Sequence, residues 1–213
     1  MISRRSIIKL SVMCSIALLS ISWGIRSANA DELAVGAESF IREMSETAII
    51  RLTEPEITRE ERKIRLKAVI NKYFHVPGIG KWVLGRAWRK ASVEERKEYI
   101  VLFEQLLIES YVDKFASYNG ETLQIVKTHV RNEKDAIVLS TLKRPELNQV
   151  VELEWRVRAS NGVYKIIDIM VEGVSMGQTQ RSEFASAIKN NGGDMAKFLD
   201  ELRARITTPN SDS

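Results

Sequence analysis

Residues 150–176, VVELEWRVRASNGVYKIIDIMVEGVSM, decide how the chain is read. Val151, Leu153, Trp155, Val157 and Ala159 alternate with Glu152, Glu154, Arg156 and Arg158, so one row of side chains is apolar and the other charged, as in a half-buried strand. Ser160, Asn161 and Gly162 mark a turn. From Val163 to Val174 a second strand follows, with Ile167, Ile169 and Val171 two apart. The register depends on the turn. A two-residue Asn-Gly turn sets Trp155 opposite Asp168 and Val157 opposite Ile166, which mixes a carboxylate into the apolar row. A three-residue loop with Gly162 left-handed sets Trp155 opposite Ile167, Leu153 opposite Ile169 and Val151 opposite Val171. The second register is expected, because it leaves one unbroken apolar wall.

Upstream, Thr122 to Val130 and Ala136 to Leu142 read as two more strands joined by a polar turn at Asn132 to Asp135, with Pro145 in the connection to the hairpin. Helices flank these strands. Ala34 to Leu52 carries Phe40, Met44 and Ala48 four apart, and Thr53, Glu54 and Pro55 stop it. Thr58 with Glu61 is a capping box opening a helix to about Phe74. Pro77, Gly78 and Gly80 break the chain, and a short apolar piece with Trp82, Val83 and Leu84 leads to Gly85 and Trp88. Ser92 with Glu95 caps the longest helix, from Val93 to about Tyr118, whose stripe holds Tyr99, Leu102, Phe103, Leu106, Leu107, Tyr111 and Phe115. That helix is the expected partner of the apolar wall. After Gly177, helices are expected from Thr179 to Asn190 and, capped by Asp194, from Met195 to Ile206. The fold class is α+β, a curved four-stranded antiparallel sheet covered by long helices around an apolar pocket.

The first 30 residues read as a signal peptide: Arg4, Arg5 and Lys9, then an apolar run from Leu10 to Trp23, then Ala28-Asn29-Ala30 as the cleavage site. The run is shorter than the ~20 residues of a membrane span. Ser3 to Lys9 also resembles a twin-arginine motif, and Met13 argues against lipidation of Cys14. Residues 31–206 are then expected to form one domain and 207–213 a flexible tail. The leader holds Arg4, Arg5, Lys9 and Arg26, four of the 32 basic residues, and no acid, so the mature chain has 28 basic against 28 acidic residues. With a formal charge of zero, neither a nucleic-acid partner nor an anionic membrane surface is expected. The mature chain lacks cysteine, which excludes disulfides, thiol nucleophiles and cysteine-based metal sites.

Candidate catalytic residues are few. Gly173-Val-Ser175-Met-Gly177 matches the G-x-S-x-G elbow of serine hydrolases, but no histidine follows Ser175, and the motif reads better as a strand end with Ser175 near a helix start. His75 and His129 are isolated from any spaced ligand set. Asp168, in an apolar strand, reads as a structural ion-pair partner of Arg156 or Arg158 rather than as a pocket acid. No Walker motif is present. The extra apolar supply from Trp82, Leu84 and Trp88 favours a cavity over a solid core. Neither a metal nor a catalytic residue is expected.

Two blocks carry a resemblance. Leu84, Gly85, Trp88, Arg89, Ala91, Ser92, Arg96, Tyr99, Phe103, Leu106, Leu107 and Tyr111 form one, and Asp168 to Met176 with Arg181, Glu183 and Phe184 the other. Together they resemble the MlaC family, also called toluene-tolerance proteins. His75 departs from it, since many members have aspartate there. The resemblance implies an NTF2/cystatin-like fold and a periplasmic carrier holding a phospholipid by its acyl chains. Its implied partners are an outer-membrane lipoprotein complex and an inner-membrane ABC transporter with an MCE-domain subunit. A hopanoid-associated branch of the family is the alternative. No cofactor is implied, the lipid being cargo, and a monomer is expected. The residues expected on the lipid are Trp82, Leu84, Trp88, Tyr99, Leu102, Phe103, Leu106 and Tyr111 from the helices, with Val151, Leu153, Trp155, Val157, Ile167, Ile169 and Val171 from the wall.

Overall fold

The computed structural model describes residues 21–207. Arg4, Arg5, Lys9 and Cys14 of the expected leader, and the tail beyond Thr207, lie outside them. The described residues form helices α1 (Ile21–Leu52), α2 (Arg59–Tyr73), α3 (Val76–Leu84), α4 (Arg86–Lys90) and α5 (Val93–Ala116). Strands β1 (Thr122–Val130), β2 (Asp135–Arg144), β3 (Gln149–Ser160), β4 (Val163–Val171) and β5 (Val174–Ser175) follow, then α6 (Met176–Asn190) and α7 (Met195–Thr207). The strands form one antiparallel sheet in the order β1-β2-β3-β4-β5. It has five strands rather than four, because Glu172 and Gly173 take positive φ (49° and 76°) and fold the chain back to pair Val174 with Val171. Among the described residues, no helix is long and apolar enough to cross a membrane.

Helix ends follow the local chemistry. The Thr58 side chain accepts the Glu61 N–H at 3.1 Å, and Ser92 and Glu95 cap each other reciprocally, bonding at 3.1 and 2.7 Å. The break expected at Pro77 to Gly80 is instead the helix α3. Pro77 sits at the helix start, where no N–H is needed, and Gly80 lets α3 approach α5: a Cβ there would lie 2.8 Å from Ile100 Cδ1 and 3.0 Å from Phe103 Cδ1.

The β3–β4 register follows neither expected pairing along its whole length. Asn161 and Gly162, with φ of 51° and 76°, make a two-residue turn that pairs Ser160 with Val163 and Val157 with Ile166. A bulge then shifts the ladder, so that Arg156 faces Asp168, Trp155 faces Ile169 and Leu153 faces Val171. Ile167 is the extra residue and has no partner in the ladder. The bulge keeps the favoured turn while holding Asp168 on the charged face.

The helix that covers the sheet is α1, not the aromatic α5. Helix α1 packs on β1, β2, β3 and β4, with Ala37, Ile41, Met44 and Ala48 buried at spacings of three and four. Helix α5 packs mainly on α2, α3 and α7. Its rings fit other rings: Tyr99 stacks on Phe103 at 5.8 Å, and Phe103 meets Phe184 edge-on at 6.3 Å, as Phe184 does Phe198 at 5.1 Å. Alanines on α1 allow a close approach to the sheet that such rings would prevent.

The β1–β2 turn is pinned by Asp135, which receives Arg158 Nε at 2.6 Å and Nη2 at 2.9 Å, with Asn132 Nδ2 at 3.1 Å. The Arg158 hydrogen bonds hold the Asp135 carboxyl below its ordinary value against the opposing effect of burial. A lowered folded-state value contributes stability above the unfolded value of about 3.9, and that stability disappears as pH falls through the folded-state value. Asp135→Asn is therefore expected to cost about 1 kcal/mol at neutral pH, since Arg158 is half exposed and partly screened by solvent. Urea titrations at neutral pH and below pH ~4 should show the gap between the two proteins narrowing in acid. A gap independent of pH would sink the assignment.

Candidate functional site

The inner face of the sheet carries one apolar row per strand. Ala136, Val138, Val157 and Ile166 are fully buried beneath the helices at one end. Towards the other end Leu153 and Ile169 are half-buried against the core, while Leu142, Val151 and Val171, also half-buried, lie beyond the main core cluster. The register places Leu142 opposite Val151 and Leu153 opposite Val171 on that face. The row is thus longer than the core that covers it. One polar pair crosses it, where Trp155 Nε1 donates to Ser140 Oγ at 2.9 Å. Thr128 Oγ1 on β1 is buried without a partner, and Thr128 pairs with Val138 in the same layer.

The residues expected on the lipid fall into two groups. Val151, Leu153, Trp155, Val157, Ile169 and Val171 share the inner face, while Ile167 leaves the row at the bulge. Tyr99, Leu102 and Phe103 are buried in the helical block, with Leu106 packed against it. Burial pushes the Tyr99 phenol up, and its hydroxyl donates to the Gly80 carbonyl at 3.0 Å. Leu84 is buried too, and Tyr111 is 39% exposed. Trp82 and Trp88 line a separate open cleft of about 700 Å³, together with basic residues.

Asp168 is a structural hub. It is 6% exposed; its Oδ2 receives the Ser175 hydroxyl at 2.8 Å, and its Oδ1 receives the Gly177 and Ile169 N–H groups at 3.2 and 3.0 Å. Arg156 lies 3.6 Å away, which is the expected ion pair. Ser175 in turn accepts the Gln178 N–H at 3.0 Å and so caps α6, which begins at Met176, earlier than expected. No histidine approaches this serine: His75 is the residue before α3 and His129 is exposed on β1. Ser175→Ala is expected to cost about 1–2 kcal/mol by removing the cap and one donor to Asp168, read from the denaturation midpoint. Covalent labelling of Ser175 by a fluorophosphonate probe, lost in the alanine variant, would overturn this role.

The sequence profile described as MlaC protein matches residues 42–204. The chain belongs to the MlaC family. The toluene tolerance protein ttg2D of Pseudomonas putida is 23% identical over 136 residues, 63% of each chain. The intermembrane phospholipid transport system binding protein MlaC of Haemophilus influenzae is 22% identical over 126 residues, covering 57% of this chain and 58% of that one. The chain thus spans less than two thirds of the length of each of these MlaC-family relatives. A phospholipid-binding protein from Ralstonia solanacearum, solved in complex with a phospholipid, superposes with a TM-score of 0.69 at 21% identity, over 80% of this chain and 98% of that one. That likeness shows a shared α+β fold. Sequence reasoning missed Leu142 on the inner row; its only signal was the alternation of β2, which became meaningful once Leu142 faced Val151.

Proposed function

We propose that this chain is a periplasmic phospholipid carrier whose acyl chains lie on the open end of the sheet's inner face, over Leu142, Val151, Leu153 and Val171. The observation that carries this reading is the apolar row running beyond the core that covers it. The proposed carrier is exported by the leader of residues 1–30 and moves lipid between an outer-membrane lipoprotein complex and an inner-membrane MCE-domain ABC transporter. The names of the family relatives point the same way. Trp155, Val157 and Ile169 back this site from the closed end, and the aromatic block of α5, α6 and α7 holds the frame.

The energetics suit a carrier without an energy source of its own. Burying a methylene contributes ~0.8 kcal/mol, so two chains of about 15 methylenes would cost roughly 24 kcal/mol in water. A protein face as apolar as a bilayer makes exchange between membrane and carrier nearly neutral, and direction is then set by the partners.

Native mass spectrometry of the purified mature protein, before and after delipidation, tests the reading. The expected result is an adduct with the mass of a glycerophospholipid that is lost on delipidation and regained from vesicles. An adduct with the mass of a triterpenoid would assign the chain to hopanoid transport instead, and no adduct under either condition would refute the carrier.

A further inference from the structure

Several basic side chains on this surface are neutralised where they stand: Arg59, Lys63, Arg65, Lys72, Arg158 and Arg203 each close on carboxylates. The cleft beside α3, α4 and α6 is different. Lys81, Arg86, Arg89, Arg96 and Arg181 line it, no carboxylate does, and none of the five makes an ion pair among the described residues. Five like charges around one cleft of about 700 Å³ repel one another, and an anionic occupant relieves this.

Two of these cations are held rigidly. Arg96 lies 5.5 Å over the Trp88 ring and donates Nε to the Trp88 carbonyl at 2.7 Å, and Arg181 lies 5.4 Å over the Trp82 ring and donates Nη1 to the Trp82 carbonyl at 2.8 Å. Gly85, at φ 60°, leaves room for Arg181, whose Nη2 would sit 3.1 Å from any Cβ placed there. Arg96 Nη1 and Arg181 Nε and Nη2 have no protein acceptor among the bonds described and remain for an anion. Arg86, Arg89 and Lys81 are exposed around them.

We propose that this cleft docks the protein onto the phosphodiester headgroups of an anionic bilayer. Guanidinium forks match phosphate oxygens, and an indole 40% exposed at the rim, Trp82, suits the headgroup layer of a membrane, where tryptophan concentrates. The cleft has no aliphatic wall to take acyl chains, since its apolar lining is tryptophan and glycine, so it reads headgroups rather than cargo. Several weakly held phosphates on one surface give a reversible, salt-sensitive contact.

The test is cosedimentation of the mature protein, lipid content checked by native mass spectrometry, with phosphatidylcholine vesicles with and without phosphatidylglycerol. The parent is expected to bind only the anionic vesicles and to release in high salt. The double variant Arg86→Glu, Arg89→Glu should lose at least about tenfold in that affinity while keeping the parent's melting curve and cargo. Lys127→Glu with Lys143→Glu, the same charge change on exposed sites of β1 and β2, should lose little. Equal losses in the two double variants would reduce the effect to net charge and overturn the cleft. So would failure of the parent to bind anionic vesicles, or binding of inorganic phosphate alone as tight as that of the vesicles. Unchanged cargo with lost vesicle binding separates this surface from the carrier site.

Discussion

Val157→Asp is expected to unfold the protein rather than to empty it of lipid. Val157 is 0% exposed, between Ala136 and Ile166 beneath the helices, and among the described residues the register sets no basic side chain beside it. An ionised carboxylate there has neither water nor a partner. The expected loss exceeds about 4 kcal/mol, against a total of about 5–15 for a domain of this kind. Val151→Asp puts the same group on the same strand and face, but at the open end. Its expected cost is about 1 kcal/mol in stability, with bound lipid per protein falling sharply. Val150, 56% exposed and on the opposite face, is the control: Val150→Asp should change neither. Thermal melts and lipid content read together decide the matter. A Val157→Asp protein melting with the parent would refute the solid closed end, and a Val151→Asp protein with full lipid would refute the open one.

Asp168→Ala should be nearly as damaging. The substitution strands the Ser175 hydroxyl and the Gly177 and Ile169 N–H groups, and leaves Arg156 without its carboxylate. A loss of about 3 kcal/mol follows from unsatisfied buried donors beside an unpaired charge. Asp168→Asn keeps one acceptor oxygen and should lose about half as much. Gly177 shows how tightly the hub is packed, because a Cβ there would lie 2.7 Å from Trp82 Cζ3 and 3.0 Å from Asp168 Oδ1. Urea unfolding with an unchanged m-value is the measurement. Stability within 1 kcal/mol of the parent for Asp168→Ala would show that the hydrogen bonds to Asp168 are replaceable.

Local chemistry was legible in the chain itself. The caps at Thr58, Ser92 and Ser175 and the alternation of β3 rest on neighbours a few residues apart, so their energies are set before any tertiary contact forms, whereas the Asn161-Gly162 turn has two residues where the apolar pattern pointed to a three-residue loop. The two motif blocks that resemble the MlaC family are likewise contiguous. What remained undetermined was every choice between distant partners. Several amphipathic helices could have covered the sheet, and only packing decided for α1, since alanine permits a close approach while the α5 rings find better company in Phe184 and Phe198. The bulge at Ile167 arose because the turn's preference and the needs of Asp168 conflict by one residue, a conflict that appears only when β4 meets both β3 and the start of α6. Net charge hid the basic cleft in the same way. Residues 31–213, with equal numbers of acids and bases, give no hint that Lys81 and Arg181, a hundred positions apart, share one surface. Composition sums charges, whereas the field at a surface depends on where folding places them.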